Sequence, residues 1–252
     1  RILLVPAEHA VDATARFQYV LRQISWLHDP DFTVVAEEHT FLILENLRCF
    51  LRAFEPAMPH YLGHRFPADP PERPTGLNTA APGFVLSRKA MQQAAAAAQC
   101  RAVTARERDS PSAAVAGCLH AIGVEAADTR DASGAQRFHV YGPVRETRGE
   151  VDDWYRRFHA PEGELPVGTS CCAADTVSFH YMGPDEARTL HDMLHEGRER
   201  WSMPDKSPRE LAAMYPTRDE VGGYSRAPGR DDGAVWHLLL HKMRLCGARR
   251  RF

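Results

Sequence analysis

The chain has 252 residues, 44% of them hydrophobic and 25% charged, with a formal net charge of −2. That length holds one large or two small globular domains with a buried core. The balanced charge excludes a basic nucleic-acid coat and an acidic disordered tail, and no apolar run reaches the roughly 18 residues of a spanning helix.

In chain order, Phe17, Val20, Leu21 and Ile24 recur at helical spacing and predict a helix over 11–27. His28-Asp29-Pro30-Asp31 breaks it, and Phe32 to Ala36 reads as a short buried strand. A second helical pattern covers 42–54, a strand covers Tyr61-Leu62-Gly63, and a proline-rich crossing follows over 67–74. Gly83 to Ser87 is a further strand, and Ser87 is placed to cap the alanine-rich helix after it. Ser110-Pro111 supplies a cap and a first-turn proline for a helix through Ile122. Val177 to Tyr181 is the next strand, and Gly183-Pro184 opens a helix to about Gly197. The stretches 145–168 and 202–232 are polar and rich in Gly and Pro, and are expected as surface loops. A last helix is expected over 234–246, ended by Gly247.

This alternation without an internal repeat predicts an α/β fold. Residues 1–200 are expected as the main region, with 201–252 as a looser loop-and-helix appendix.

Composition also supplies bland explanations. Lysine occurs only at Lys89, Lys206 and Lys242, so arginine provides nearly all of the 31 basic residues. GC-rich coding accounts for that and for the alanine run. Arg249-Arg250-Arg251 reads as a solvated tail. The six cysteines form no CxxC pair, which argues against a zinc ribbon or thioredoxin-type site. Their even number permits disulfides, and adjacent Cys171 and Cys172 are each expected to bond elsewhere.

Three clusters carry candidate chemistry. The first, Ala36-Glu37-Glu38-His39-Thr40, places two carboxylates and an imidazole directly after the first strand, at the strand end where open α/β sheets place ligands. Such residues can hold a divalent cation that bridges a diphosphate, but from local composition alone a solvated turn before a helix is the better explanation. His180, within an apolar strand, is either a hydrogen-bonded core residue or a metal ligand that needs partners from elsewhere. His191 and His195 share one helix face, as in zinc hydrolases, but Asp192 stands where the longer Glu would act as base. His237 and His241 repeat the spacing with no acid between them. Trp154 and Tyr155, expected in a polar loop, suit either a sugar-stacking platform or a local mini-core. No GxGxxG, Walker, GxSxG or kinase signature is present.

Several blocks, taken together, carry a resemblance. They are Asp31 to Phe41 with Glu45-Asn46-Leu47-Arg48, then Tyr61 to Phe66, and Gly83 to Ser87. Gly117-Cys118-Leu119, Gly123-Val124, Asp128 to Asp131 and Arg137-Phe138-His139 follow. The most specific is Cys171-Cys172-Ala-Ala-Asp175-Thr-Val-Ser178-Phe179-His180-Tyr181. In this order they resemble the core 1 β1,3-galactosyltransferases of glycosyltransferase family 31.

The resemblance implies a GT-A-type fold, a Rossmann-like mixed sheet flanked by helices, here without its N-terminal strands. It implies inverting transfer of galactose from UDP-galactose to the N-acetylgalactosamine of a glycoprotein, with no nucleic-acid partner. It also implies Mn2+ held at His39 and His180 with Glu37 and Glu38 beside them. A catalytic base would be Asp109 or Glu107, Trp154 and Tyr155 would contact the acceptor sugar, and Cys100 would pair with Cys118. Where the family carries three aspartates this chain has Glu37-Glu38-His39, a less charged cation site. Ala80-Ala81-Pro82 likewise replaces small glycines. The resemblance further implies the C-terminal part of a longer type II Golgi membrane protein with its catalytic region in the lumen, a homo-oligomer being allowed. A transferase-like chaperone or binding protein without catalysis is the alternative, and a zinc hydrolase a remote third.

Overall fold

A computed structural model describes residues 13–68, 76–97, 100, 111–195, 235–236, 239, 242–243 and 245–246. In chain order the elements are α1 (Ala13–Leu27), β1 (Phe32–Val35), β2 (Phe41–Leu42), α2 (Leu44–Leu51), β3 (Tyr61–Gly63), β4 (Arg65–Phe66), β5 (Leu77–Asn78), β6 (Phe84–Ser87) and α3 (Arg88–Ala96). They continue with α4 (Pro111–Ala121), β7 (Ala126–Ala127), β8 (Phe138–His139), α5 (Pro143–Arg148), α6 (Asp153–His159), β9 (Ser178–Phe179) and α7 (Pro184–His195). The chain divides into two interleaved units. Residues 1–37 and 52–129 form the first, and 38–51 and 130–252 the second.

The first unit is built on a four-stranded sheet of order β1-β6-β3-β7. Strand β6 is antiparallel to both β1 and β3, with Val85 opposite Val34 on one side and Leu62 on the other. Strand β3 then pairs parallel with β7. Leu62, Val85 and Leu86 are fully buried, which is why the central strand reads as an unbroken apolar run. Helices α1, α3 and α4 pack on one another beside this sheet. Gln18 of α1 donates to Ala94 O and Ala97 O, and Arg22 donates to Ala95 O. Ser87 caps α3 by accepting from Ala90 N at 3.3 Å. Its hydroxyl also donates to Met58 O at 2.6 Å. A Cβ on Gly63 would lie 3.0 Å from Phe84 Cβ and 3.1 Å from Asn78 Cβ, so close strand packing requires glycine there.

The second unit holds a three-stranded sheet of order β2-β9-β8. Strand β9 is central, antiparallel to β2 and parallel to β8. Its core gathers Ile43, Phe179, Met182, Leu190 and Met193 with Val235, Trp236, Leu239 and Met243. Residues from the expected appendix therefore fill this core. Both units contain mixed sheets flanked by helices, the α/β architecture expected of a GT-A-type chain.

Three local expectations need correction. The stretch 145–168, expected as loop, contains most of α5, all of α6 and two 3-10 turns, Ala160–Glu162 and Gly168–Ser170. Its Gly and Pro are helix punctuation. Pro143 sits in the first turn of α5, and Gly149 ends that helix at φ 68°, donating to Arg145 O and Glu146 O. Helix α6 reads as polar because it buries only Tyr155 and His159, four residues apart on one face. Trp154 thus stands in a helix, not a loop. The strand expected over 177–181 pairs only at Ser178–Phe179, because Tyr181 takes a left-handed φ of 54° and turns the chain.

The third correction concerns the cysteines. Cys171 and Cys172 bond each other, with Cα atoms 3.7 Å apart. The bonded pair is buried in the core, and Gln136 brackets it, donating its N–H to Cys171 O and accepting from Ala173 N. Cys100 bonds Cys118 in the first unit, and Cys49 bonds Cys246 in the second. No cysteine is left as a free thiol.

Candidate functional site

The β2–β9 ladder of the second unit brings the two sequence clusters together. Phe41 pairs with Phe179, so the next step outward sets Thr40 opposite His180. Thr40 Oγ1 lies 3.2 Å from His180 Nδ1. One step further, Met182 N donates to His39 O at 3.1 Å. On the other edge of the strand, His180 N donates to His139 O at 2.9 Å. The His139 ring stacks on Phe179 at 4.6 Å.

His180 is 2% exposed. Burial, then the neighbouring His39, push its pKa down from 6.5 to about 4, against an opposing pull from Glu38. The imidazole is therefore neutral at pH 7, and its lone pair can be given to a ligand. Glu38 and His39, by contrast, are exposed in the turn that leads into β2. Tyr181 holds its strained φ beside them, with its ring 4.3 Å from His180. A bulky residue forced into the left-handed region is characteristic of ligand-contacting turns.

Among the described residues no group of three or more His, Cys, Asp or Glu could hold a metal ion by itself. His39, His180 and Glu38 therefore make no complete cation site by themselves. Glu37 closes the first unit at the point where the chain passes into the second. His191 and His195 share an exposed face of α7 with ring centroids 4.6 Å apart, and Asp192 lies 3.5 Å from His191 Nδ1. They acquire no third ligand among the described residues, while His237 and His241 lie outside those residues.

Asp109 and Glu107, the candidate bases, also lie outside the described residues. The Cys100–Cys118 bond ties a residue beyond the end of α3 to the second half of α4. Trp154, in the first turn of α6, is 38% exposed, whereas Tyr155 is 1% exposed. Tyr155 packs edge-on to Tyr141 at 5.3 Å and against His159 at 4.6 Å. Burial, then the negative charge of Glu146, push its hydroxyl pKa up. Of the expected acceptor pair, Trp154 is the one that offers a ring to solvent.

An ordered polar edge adjoins this aromatic group. Tyr141 OH donates to Asp152 Oδ2 at 3.0 Å, Arg145 lies 3.4 Å from the other carboxylate oxygen, and its guanidinium covers the Tyr141 ring at 4.3 Å. Tyr141 in turn stacks on Tyr181 at 6.0 Å. A small niche elsewhere in the unit is lined by Gln136, Glu146, Tyr155, Val167 and Cys171, among others. Glu38, His39 and His180 take no part in it.

Sequence reading placed Thr40 in the first candidate stretch without a partner and gave no sign of the strain at Tyr181. Thr40 matters only once the register of β2 on β9 is known, and nothing within either short strand encodes that register.

No model of a protein family matches the chain. It is 27% identical over 182 residues to glycoprotein-N-acetylgalactosamine 3-beta-galactosyltransferase 1 of Xenopus laevis. The alignment covers 69% of this chain and 48% of that protein, so the chain spans about half the length of its relative. The chain is thus similar, at a distance, to a galactosyltransferase.

Proposed function

We propose that the chain carries a UDP-sugar transferase site that moves galactose from UDP-galactose onto the N-acetylgalactosamine of a glycoprotein, with inversion at the sugar. The observation that carries the reading is the meeting of the Glu38-His39 turn with the buried, neutral His180 across the β2–β9 ladder. The name of the distant relative supports the donor and acceptor classes.

In this reading His39 and His180 supply imidazole nitrogens to a manganese ion, with Glu38 alongside. The ion, when bound, neutralises charge on the leaving diphosphate. The chain's own residues do the rest. A carboxylate, Asp109 or Glu107, takes the proton of the acceptor hydroxyl as its oxygen bonds to the sugar's C1. The C1–O bond to UDP breaks on the opposite face, and the electron pair leaves with the diphosphate. Trp154 offers an apolar ring to a sugar face, and the fixed Asp152 and Arg145 pair lies close to it in sequence.

The three disulfides fit an oxidising compartment, and a Golgi-lumenal setting is part of the proposal. No helix among the described residues is long and apolar enough to cross a membrane.

The test is transfer of labelled galactose from UDP-galactose to a GalNAc-peptide. Manganese-dependent product, abolished in His180→Ala, is the expected result. A folded protein that gives no product, with or without manganese, would overturn the reading.

A further inference from the structure

We infer that Arg145 and Asp152 bind one of the unreacted hydroxyls of the acceptor sugar between guanidinium and carboxylate. The inference rests on reading the chain as acting on a GalNAc acceptor, and it deepens that reading with two residues outside the candidate set.

The pair is held in one orientation by Tyr141. The Tyr141 hydroxyl donates to Asp152 Oδ2 at 3.0 Å and accepts the Asp152 N–H at 3.4 Å. The guanidinium of Arg145 lies over the Tyr141 ring at 4.3 Å. Arg145 Nε donates to Glu150 O at 2.9 Å, and Nη2 donates to Asp152 Oδ1 at 3.4 Å. Tyr141 also stacks on Tyr181 at 6.0 Å, and Tyr181 lies 4.3 Å from His180, so a run of rings links the pair to the proposed site.

Stability does not account for this arrangement. The two side chains are 30% and 54% exposed, and an ion pair that open to water adds little to folding. Asp152 is also the N-cap residue of α6, where a carboxylate ordinarily accepts an N–H of its own helix. Here it makes no such cap bond and faces Tyr141 and Arg145 instead.

The chemistry left over suits a hydroxyl. These contacts use two of the five N–H donors of a guanidinium and about two of the four lone-pair sites of a carboxylate. A sugar hydroxyl both donates and accepts, so it can give its proton to Asp152 and accept one from Arg145. A lone guanidinium would select an anionic sugar, but the Asp152 carboxylate balances that charge and repels an acid group. Trp154, two residues further on, offers its partly exposed ring to an apolar sugar face.

The test is the affinity of the full 252-residue chain, with UDP and Mn2+ present, for a GalNAc-peptide and for its 4-deoxy and 6-deoxy sugar analogues. Ligand-observed NMR titration reads these affinities. Asp152→Asn keeps the shape and can still accept from Tyr141, and Arg145→Gln removes the fork. Each should weaken binding of the GalNAc-peptide about tenfold or more. Wild type should lose a similar factor on one of the two deoxy analogues, and on that analogue the variants should add no more than about twofold. If Arg145→Gln fails to fold, Arg145→Lys takes its place. Unchanged affinity in the variants, or a loss equally large on the parent sugar and both analogues, would overturn the inference, the latter by marking a structural role. Wild type that does not bind the GalNAc-peptide would overturn it too. Galactose transfer, measured separately, decides the transferase reading on its own.

Discussion

Cys246 is fastened to α2 twice. Its backbone N–H donates to Asn46 Oδ1 at 2.9 Å across 200 residues of sequence, and its sulfur bonds Cys49 on the same helix. Asn46 is fully buried, and its Nδ2 donates to Thr176 O at 2.9 Å. One amide thus joins α2 to the segment before β9 and to the chain near its C-terminal end. Asn46→Ala leaves a buried carbonyl and a partly buried N–H without that partner and should cost about 2 kcal/mol or more. Cys49→Ser opens a covalent link between residues 197 apart and should cost about 2–5 kcal/mol. Urea unfolding midpoints measure both, and unchanged midpoints would show that this end of the chain adds nothing to stability.

Stability should also report the buried histidine. His180 has its pKa lowered from 6.5 to about 4 in the folded chain, by burial and then by His39. Between those values the unfolded chain binds the proton more readily than the folded one. Folding stability should therefore fall as pH drops from about 6.5 to about 4 and lose no more on this account below that. Compared at about pH 7 and about pH 5 by urea unfolding, His180→Gln should show a smaller loss than wild type. Equal losses would mean that the ring titrates alike in both states.

Trp154 and Tyr155 should separate cleanly. Trp154 offers part of its ring to solvent, so Trp154→Ala should raise KM for a GalNAc-peptide at least several-fold while the unfolding midpoint changes little. Tyr155 is buried, so Tyr155→Ala should instead lower stability by about 3 kcal/mol or more. Initial-rate kinetics with unfolding curves on both variants make the comparison. An unchanged acceptor KM in Trp154→Ala would remove it from the sugar contact.

Sequence patterns and tertiary structure parted at specific residues. Helices with an apolar stripe or a clear cap, such as α1, α3 and α4, were legible because local spacing and Ser87 or Pro111 define them. Strand β6 was legible as a continuous apolar run bounded by Gly83. The two-residue strands β2, β5, β7 and β8 were not, since so short a stretch carries no period and depends on its neighbours for pairing. Helix α6 was hidden because its buried face is only Tyr155 and His159. At the site, the identities of Glu38, His39 and His180 were readable and the resemblance implied their meeting, but no local pattern encodes it. It follows from the Phe41–Phe179 register and from the turn at Tyr181, both set by the folded chain.

The central claim is that the Glu38-His39 turn and His180 form a site for a cation and a nucleotide diphosphate. Calorimetric titration of UDP into the full chain, with and without Mn2+, tests it most directly. UDP binding should require Mn2+ and weaken at least tenfold in His180→Ala, a loss of about 1.4 kcal/mol. UDP that fails to bind in the presence of Mn2+, or binds equally without the ion and without the His180 ring, would contradict it.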